Sequence, residues 1–208
     1  TPLDDLLDTA AMTKIGGSLG SHPAGVYAEA DGRRYYVKTV ESPAHAANET
    51  LAARLYQLAG APTLTYWPTR QPDQVATEFV ELQTRHIARF SEPERRQAQR
   101  WLGVHAWTAN WDAAGFDGDN QGVIAGVPTT LDLGGALEYR AQGDPKGKAF
   151  GAVAREIDTL RSDPDNPHAL RLFGDMSAAQ VDEAVAVVTA VADDDVRRVV
   201  AEAGGAAA

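Results

Sequence analysis

The order of local signals constrains this chain more than any single residue: strand-and-turn patterns with one helix among them take it up to residue 82, and helical patterns dominate the remainder. Residues 26 to 40, VYAEADGRRYYVKTV, predict two strands around Asp31-Gly32, a dipeptide that tolerates a tight hairpin turn. Ser42-Pro43 then opens a helix with a side-chain cap and a proline in the first turn, and Gly60 closes it. Leu51, Leu55 and Leu58 are its expected buried stripe. Two short extended stretches, LTYW and VATEFVEL, come next within 62 to 82, separated by RQPDQ. Ser91 and Glu94 form a capping box for a helix from about 92 to 109 that turns Trp101, Leu102 and Ala106 inward. A polar loop, NWDAAGFDGDNQG, leads into VIAGVPTTLDLGG, which reads as another short hairpin ending in glycines. Helices near 149 to 161 and 177 to 202 complete the helical half.

A chain of 208 residues, 44% of them hydrophobic, can bury one large core or two small lobes. A net charge of −10 argues against a protein built to neutralise nucleic-acid phosphates, because that affinity rests on clustered Lys and Arg. The absence of cysteine removes disulfides, thiolate nucleophiles and thiolate metal sites. No run of eighteen apolar residues occurs and the start, TPLDDLLDTA, lacks the pattern of a signal peptide, so a soluble protein without membrane insertion is expected. The missing initiator Met and the GGAAA end suggest a trimmed chain or an excised module, so native targeting is not legible in it.

The residues that carry chemistry are spread over both halves. Four glycines in GGSLGSHPAG, residues 16 to 25, precede a strand, where the backbone can approach a phosphate and donate N–H groups. That segment contains Gly17, Ser18, Gly20, Ser21, His22 and Gly25. Lys38 lies on the next strand, within reach of phosphates folded under such a loop, and Glu49 lies on the following helix at the edge of its apolar stripe, able to turn toward Lys38. Glycine loop, strand lysine and helix glutamate form, in this order, an arrangement that holds ATP phosphates. Further on come Asp112, Asn120 eight positions later, and Asp132 before Gly134-Gly135. Phosphoryl transfer needs a carboxylate to orient the attacking hydroxyl and oxygen ligands for Mg²⁺, which these three residues can supply. Arg140, Lys146 and Lys148 come soon after and can steer an acidic substrate, neutralise phosphate charge or simply be solvated.

NWDAAGFDGDN followed by LDLGG, with GSHPAGVY, YYVK and ANETLAARLYQLAG before it, resembles minimal bacterial protein kinases related to the HipA-like group, over roughly residues 14 to 160. The resemblance implies an α+β, two-lobed protein-kinase-like fold as a single domain. Its N-lobe, to about residue 85, would be an antiparallel sheet plus one helix, and its C-lobe, 86 to 208, a reduced helical part. It further implies that Lys38 contacts the ATP phosphates, Glu49 anchors Lys38, Asp112 is the catalytic aspartate, and Asn120 and Asp132 hold Mg²⁺. The loop from Gly16 to Gly25 would cover the triphosphate, and FVEL, with Glu81 and Leu82, would be the hinge that binds adenine. Ser18 and Ser21 become candidates for autophosphorylation, and a toxin or effector module, in the bacterial cytoplasm or delivered into a target cell, is the implied setting. The acceptor would be a Ser or Thr of a protein substrate; a small molecule is the runner-up, and a pseudokinase acting by interaction a further alternative. The sequence departs from ordinary protein kinases: no His-Arg precedes Asp112, Leu133 stands where Phe is usual, and no Ala-Pro-Glu follows.

Two rival motifs weigh little. Gly16-Gly17-Ser18-Leu19-Gly20 matches a serine-hydrolase elbow with Asp132 and His168 in chain order, but that elbow must turn from a strand into a helix, and here SHPAG, with proline and glycine against a helix, leads into a hairpin. FDGDNQG clusters acids around glycine yet lacks the alternate-position acids and terminal glutamate of a calcium loop. None of the histidines, His105 included, has zinc-ligand spacing, so no transition metal is expected.

Overall fold

The computed structural model describes residues 5–205. Five strands form one antiparallel sheet: β1 (Thr13–Gly16), β2 (Ala24–Ala28), β3 (Arg34–Thr39), β4 (Tyr66–Trp67) and β5 (Gln74–Glu78), in the spatial order β1-β2-β3-β5-β4. The β2–β3 connection is a three-residue loop, Ala30 to Gly32, closed by Glu29 N–H donating to the Arg33 carbonyl at 2.9 Å. Within it only Gly32 adopts a positive φ, of 88°. β3 is central, with Tyr35, Val37 and Lys38 all buried. FVEL lies beyond the strand end: β5 stops at Glu78, and Phe79 N–H crosses to the Arg34 carbonyl at 3.0 Å.

Between β3 and β4 runs α1 (Pro43–Leu58), capped by the Ser42 hydroxyl accepting from His45 N–H. Its buried face differs from the leucine stripe that the sequence suggests. Leu55 is buried, but Leu51 and Leu58 are only half-buried, while His45, Ala46, Asn48, Glu49, Ala52, Ala53 and Tyr56 are covered. The small alanines let the helix lie close to its neighbours, and of the polar residues among them His45, Asn48 and Tyr56 find partners in the second half of the chain while Glu49 pairs with Lys38 and Tyr66. α1 is therefore packed from two sides, by the sheet and by the C-terminal helix, where Val199 joins the Ala52–Tyr56 cluster and Glu202 pairs with Arg54.

The predicted helix over 92 to 109 is two helices, α2 (Glu92–Gln99) and α3 (Leu102–Trp107). The break comes where Arg100 and Trp101 shift to hydrogen bonds three residues back, onto Gln97 and Ala98. Leu102 and Ala106 are buried and Trp101 half-buried. The Ser91–Glu94 capping box is present. A two-stranded hairpin, β6 (Gln121–Ile124) and β7 (Val127–Thr130), turns through Ala125 and Gly126, both at positive φ. The helices α4 (Glu156–Ser162), α5 (Pro167–Phe173), α6 (Ala178–Thr189) and α7 (Asp193–Gly205) come after it; the first starts later than residue 149, α5 has no counterpart in the sequence reading, and the expected 177–202 helix is broken before Asp193. Leu102, Leu160, Leu172 and Phe173 form the core beneath them.

Contact between α3 and α6 is close enough that a Cβ on Gly103 would stand 2.2 Å from the Ala184 carbonyl oxygen. Ala is the better helix former by ~1 kcal/mol, yet this clash must push two helices apart. Gly103→Ala is expected to destabilise the protein by about 1–3 kcal/mol, seen as a lower urea midpoint. Gly20→Ala, where a Cβ would meet nothing within 4 Å, is expected to stay within about 0.5 kcal/mol of the parent.

Candidate active site

A cleft of about 640 Å³ opens between the sheet and the second half of the chain, and Lys38 crosses it. Its Nζ lies 2.9 Å from Glu49 Oε1 and 3.1 Å from Asp132 Oδ1. β3 presents Lys38, α1 presents Glu49, and the segment after β7 presents Asp132, so three separate elements meet on one ammonium. Tyr66 donates its hydroxyl to Glu49 Oε1 at 3.0 Å, and Gly134 N–H donates to Asp132 Oδ1 at 2.8 Å. Glu49 is 1% exposed, whereas 42% of the Asp132 side chain faces solvent in the cleft. Burial opposes the Lys38 charge, but Asp132 and Glu49 overcome it and hold the ammonium protonated, well above the usual lysine range. Burial in turn raises Glu49 despite Lys38. For Asp132 burial works in the same direction, and the Lys38 ammonium with the Gly134 N–H outweighs it, so its carboxyl is held below the usual range.

Facing this bridge is Asp112, whose Oδ2 accepts from Asn120 Nδ2 at 3.0 Å. Asn120 also donates to the Asp112 carbonyl at 2.9 Å, which ties both ends of the intervening loop together. Gly115, at φ 84°, leaves no room for a side chain against Asn120. Burial, and then the Asp132 carboxylate, push the Asp112 carboxyl up to about 6. Asn120 spends its amide nitrogen on Asp112 and its backbone carbonyl on Leu131 N–H, at 2.9 Å, while its side-chain Oδ1 makes no hydrogen bond among the described residues.

The glycine segment does not act as one unit. Gly20, Ser21 and His22 line the cleft, whereas Gly17, Ser18 and Gly25 do not. The Ser18 hydroxyl is turned onto the Gly20 and His22 carbonyls, at 2.8 and 3.0 Å, and β2 comes next instead of a helix, so no hydrolase elbow forms. His168 packs against His86, with ring centroids 5.3 Å apart. Burial and the nearby Lys38 hold His22 below the usual histidine range. Of the hinge pair, Leu82 lines the cleft and Glu81 is exposed outside it; the apolar wall there is made by Leu64, Val75, Val80, Leu82 and Leu131. Among the described residues the N–H groups of Val80, Glu81 and Leu82 make no intramolecular hydrogen bond.

Three supporting residues are not singled out by the sequence. His45, fully buried, places Nε2 3.0 Å from the Gly134 carbonyl. Asn48 donates to the Ala136 carbonyl at 2.9 Å and accepts from Glu138 N–H at 3.1 Å. Asn110 donates to the Tyr56 hydroxyl at 3.0 Å, which lies 2.6 Å from His105 Nδ1; burial holds His105 neutral, down to about 3, so this buried pair carries no charge. A signal is present in the spacing of His45, Glu49, Ala52 and Tyr56, which recur every three or four positions and share a helix face.

No protein-family model matches the sequence, and no curated protein does. Among solved structures, the chain is similar to the proinflammatory kinase CtkA of Helicobacter pylori, with a TM-score of 0.50 and 13% identity over 95% of this chain and 99% of that one. The macrolide 2′-phosphotransferase MphH of Brachybacterium faecium aligns with a TM-score of 0.44 and 11% identity, over 86% of this chain and 82% of its own. The Rio2 kinase of Chaetomium thermophilum, solved as an ADP/Mg²⁺-phosphoaspartate complex, aligns with a TM-score of 0.44 and 11% identity, over 94% of this chain and 72% of its own. An antiparallel sheet with one long helix, a helical second half and a cleft between them, matched to CtkA over nearly all of both chains, make this a protein-kinase-like fold.

Proposed function

We propose that this protein is an ATP-dependent phosphotransferase whose acceptor is a serine or threonine hydroxyl of a protein. The observation that carries the reading is the cleft itself, in which Lys38 bridges Glu49 and Asp132 while Asp112 and Asn120 stand opposite. CtkA, similar over nearly all of both chains, is itself a kinase. In this reading residues to about 85 form one lobe and residues from 86 the other.

The donor set fits a hard cation. Among the described residues no three His, Cys, Asp or Glu side chains converge on a metal site, and the candidates are oxygens: the Asp132 carboxylate and the Asn120 amide carbonyl. Two protein oxygens suit Mg²⁺, which keeps most of its shell as water and substrate phosphate. Bound Mg-ATP would supply the transferable phosphoryl group and a counter-charge on its oxygens. Lys38 would give its ammonium to phosphate oxygens, with Glu49 fixing its position from behind. The apolar wall from Leu64 to Leu131 suits a base, and the free N–H groups after β5 suit its polar edge. Asp112 would orient the acceptor hydroxyl and take its proton.

Incubation with Mg²⁺ and ATP labelled at the γ-phosphate, alone and with cell extract, tests the reading. Label on protein is expected for the parent and absent from Lys38→Ala and Asp132→Ala. Label on a small molecule only would replace the protein acceptor with a metabolite or antibiotic. Nucleotide binding without transfer would point to a pseudokinase, and failure to bind ATP would sink the assignment.

Asp112→Asn is expected to separate chemistry from stability. Transfer should fall by at least about 100-fold, with ATP affinity retained. Because the folded protein raises the Asp112 pKa, its carboxylate costs stability above about pH 6. The neutral amide removes that cost, so the variant should melt about 2–4 °C higher than the parent at pH 8. An unchanged or lower melting point would show that the carboxylate is not strained by its surroundings.

A further inference from the structure

Lys146 reaches back from the loop before α4 and donates to two backbone carbonyls, of Ala109 at 2.6 Å and of Gly135 at 2.7 Å. Ala109 lies three residues before Asp112, and Gly135 three residues after Asp132. One ammonium thus joins the two segments that carry the acidic residues of the cleft. Charged donors make short, strong hydrogen bonds to carbonyls, and both lengths here are short.

The junction it closes is under strain. Ala109 and Leu137 sit in the left-handed region, at φ 51° and 54°, where side chains other than glycine are disfavoured. Leu137 N–H donates to the Thr108 carbonyl at 2.6 Å, a second tie between the same segments. A Cβ on Gly135 would come within 2.9 Å of Asp112 Cβ, so the two segments are in direct contact. Such a junction persists only where surrounding bonds hold it.

Lys146 also lines the cleft. Two of its three N–H groups are spent on carbonyls, which leaves one donor and the charge itself beside Asp112.

We propose that Lys146 is a positioning residue that clamps the Asp112 segment against the Asp132 segment and holds a cation facing the transferring phosphoryl group. The proposal rests on the phosphotransferase reading. A fixed cation is worth most where negative charge builds up in a water-poor site and costs no reorganisation when it is already in place. Burial also pulls the Lys146 ammonium down to about 8, with Glu156 and Asp112 raising it and Arg140 lowering it. The clamp should therefore weaken within an accessible pH range.

Nucleotide affinity, melting temperature and transfer rate against pH, measured for the parent, Lys146→Met and Lys146→Arg, test this. Lys146→Met is expected to lower kcat by about 100-fold while nucleotide affinity stays within about threefold. Lys146→Arg keeps the charge, although its planar fork fits two carbonyls less well, and should recover about tenfold of that loss. For the parent, kcat/KM should fall above about pH 8, and in Lys146→Arg that alkaline fall should move beyond about pH 10, because arginine stays protonated. A Met variant with near-parental kcat overturns the proposal. So does joint loss of nucleotide binding and thermal stability in both variants, which would mark Lys146 as a folding contact only. If the parent itself binds no nucleotide or transfers nothing, the phosphotransferase reading fails first and takes this proposal with it.

Discussion

The Lys38 ammonium, held between Glu49 and Asp132, is the interaction on which the cleft depends. A buried ion pair is a poor source of net stability, because desolvating the charges cancels most of what their attraction gives. Its value here is geometric. Removing one member leaves an uncompensated charge, a loss of roughly 3–5 kcal/mol in comparable buried pairs, so β3, α1 and the segment after β7 are bound to a single relative placement. The arrangement also leaves Asp132, alone of the three, partly open to solvent in the cleft, as a group must be if it is to meet a ligand.

Helix α1 transmits that placement to the rest of the site. On one face it carries His45, Asn48, Glu49 and Tyr56, and each is bonded to a different part: the Gly134 carbonyl, the Ala136–Glu138 backbone, Lys38, and the His105–Asn110 pair that precedes Asp112. Alanines between them keep the helix close enough for short polar side chains to reach. Helix α7 closes over the far side. A helix that swings freely would break several buried hydrogen bonds at once, so α1 is built to stay in place.

Much of this is legible in the chain. Ser42-Pro43 and Gly60 mark α1 to within a residue or two of its ends, Ser91 with Glu94 marks the start of α2, and the strands on either side of Asp31-Gly32 stand out, because caps and turns act through residues adjacent in sequence. The leucine stripe expected on α1 is misplaced because hydrophobicity alone points to it, whereas the face that is buried is small and polar and finds its partners in other elements, for His45 and Asn48 more than eighty residues away. The break between α2 and α3 is not legible in the same way, since no proline or glycine marks Arg100 and Trp101, whereas α5 carries local signals, Asn166-Pro167 before it and Gly174 after it, that no long apolar period reinforces because the helix has only seven residues.

The candidate residues divide along the same line. Sequence alone determined which groups could do chemistry, Lys38, Glu49, Asp112, Asn120 and Asp132, and their order, because residue type and local spacing limit what each can bind. Only the tertiary structure decided that Lys38 bridges two carboxylates, that Gly20 to His22 and Leu82 face the cleft while Gly17, Ser18, Gly25 and Glu81 do not, and that Lys146 turns inward onto two carbonyls. Those outcomes turn on direction and burial, and a side chain's direction is fixed by contacts with residues far away in the chain, which no local pattern encodes.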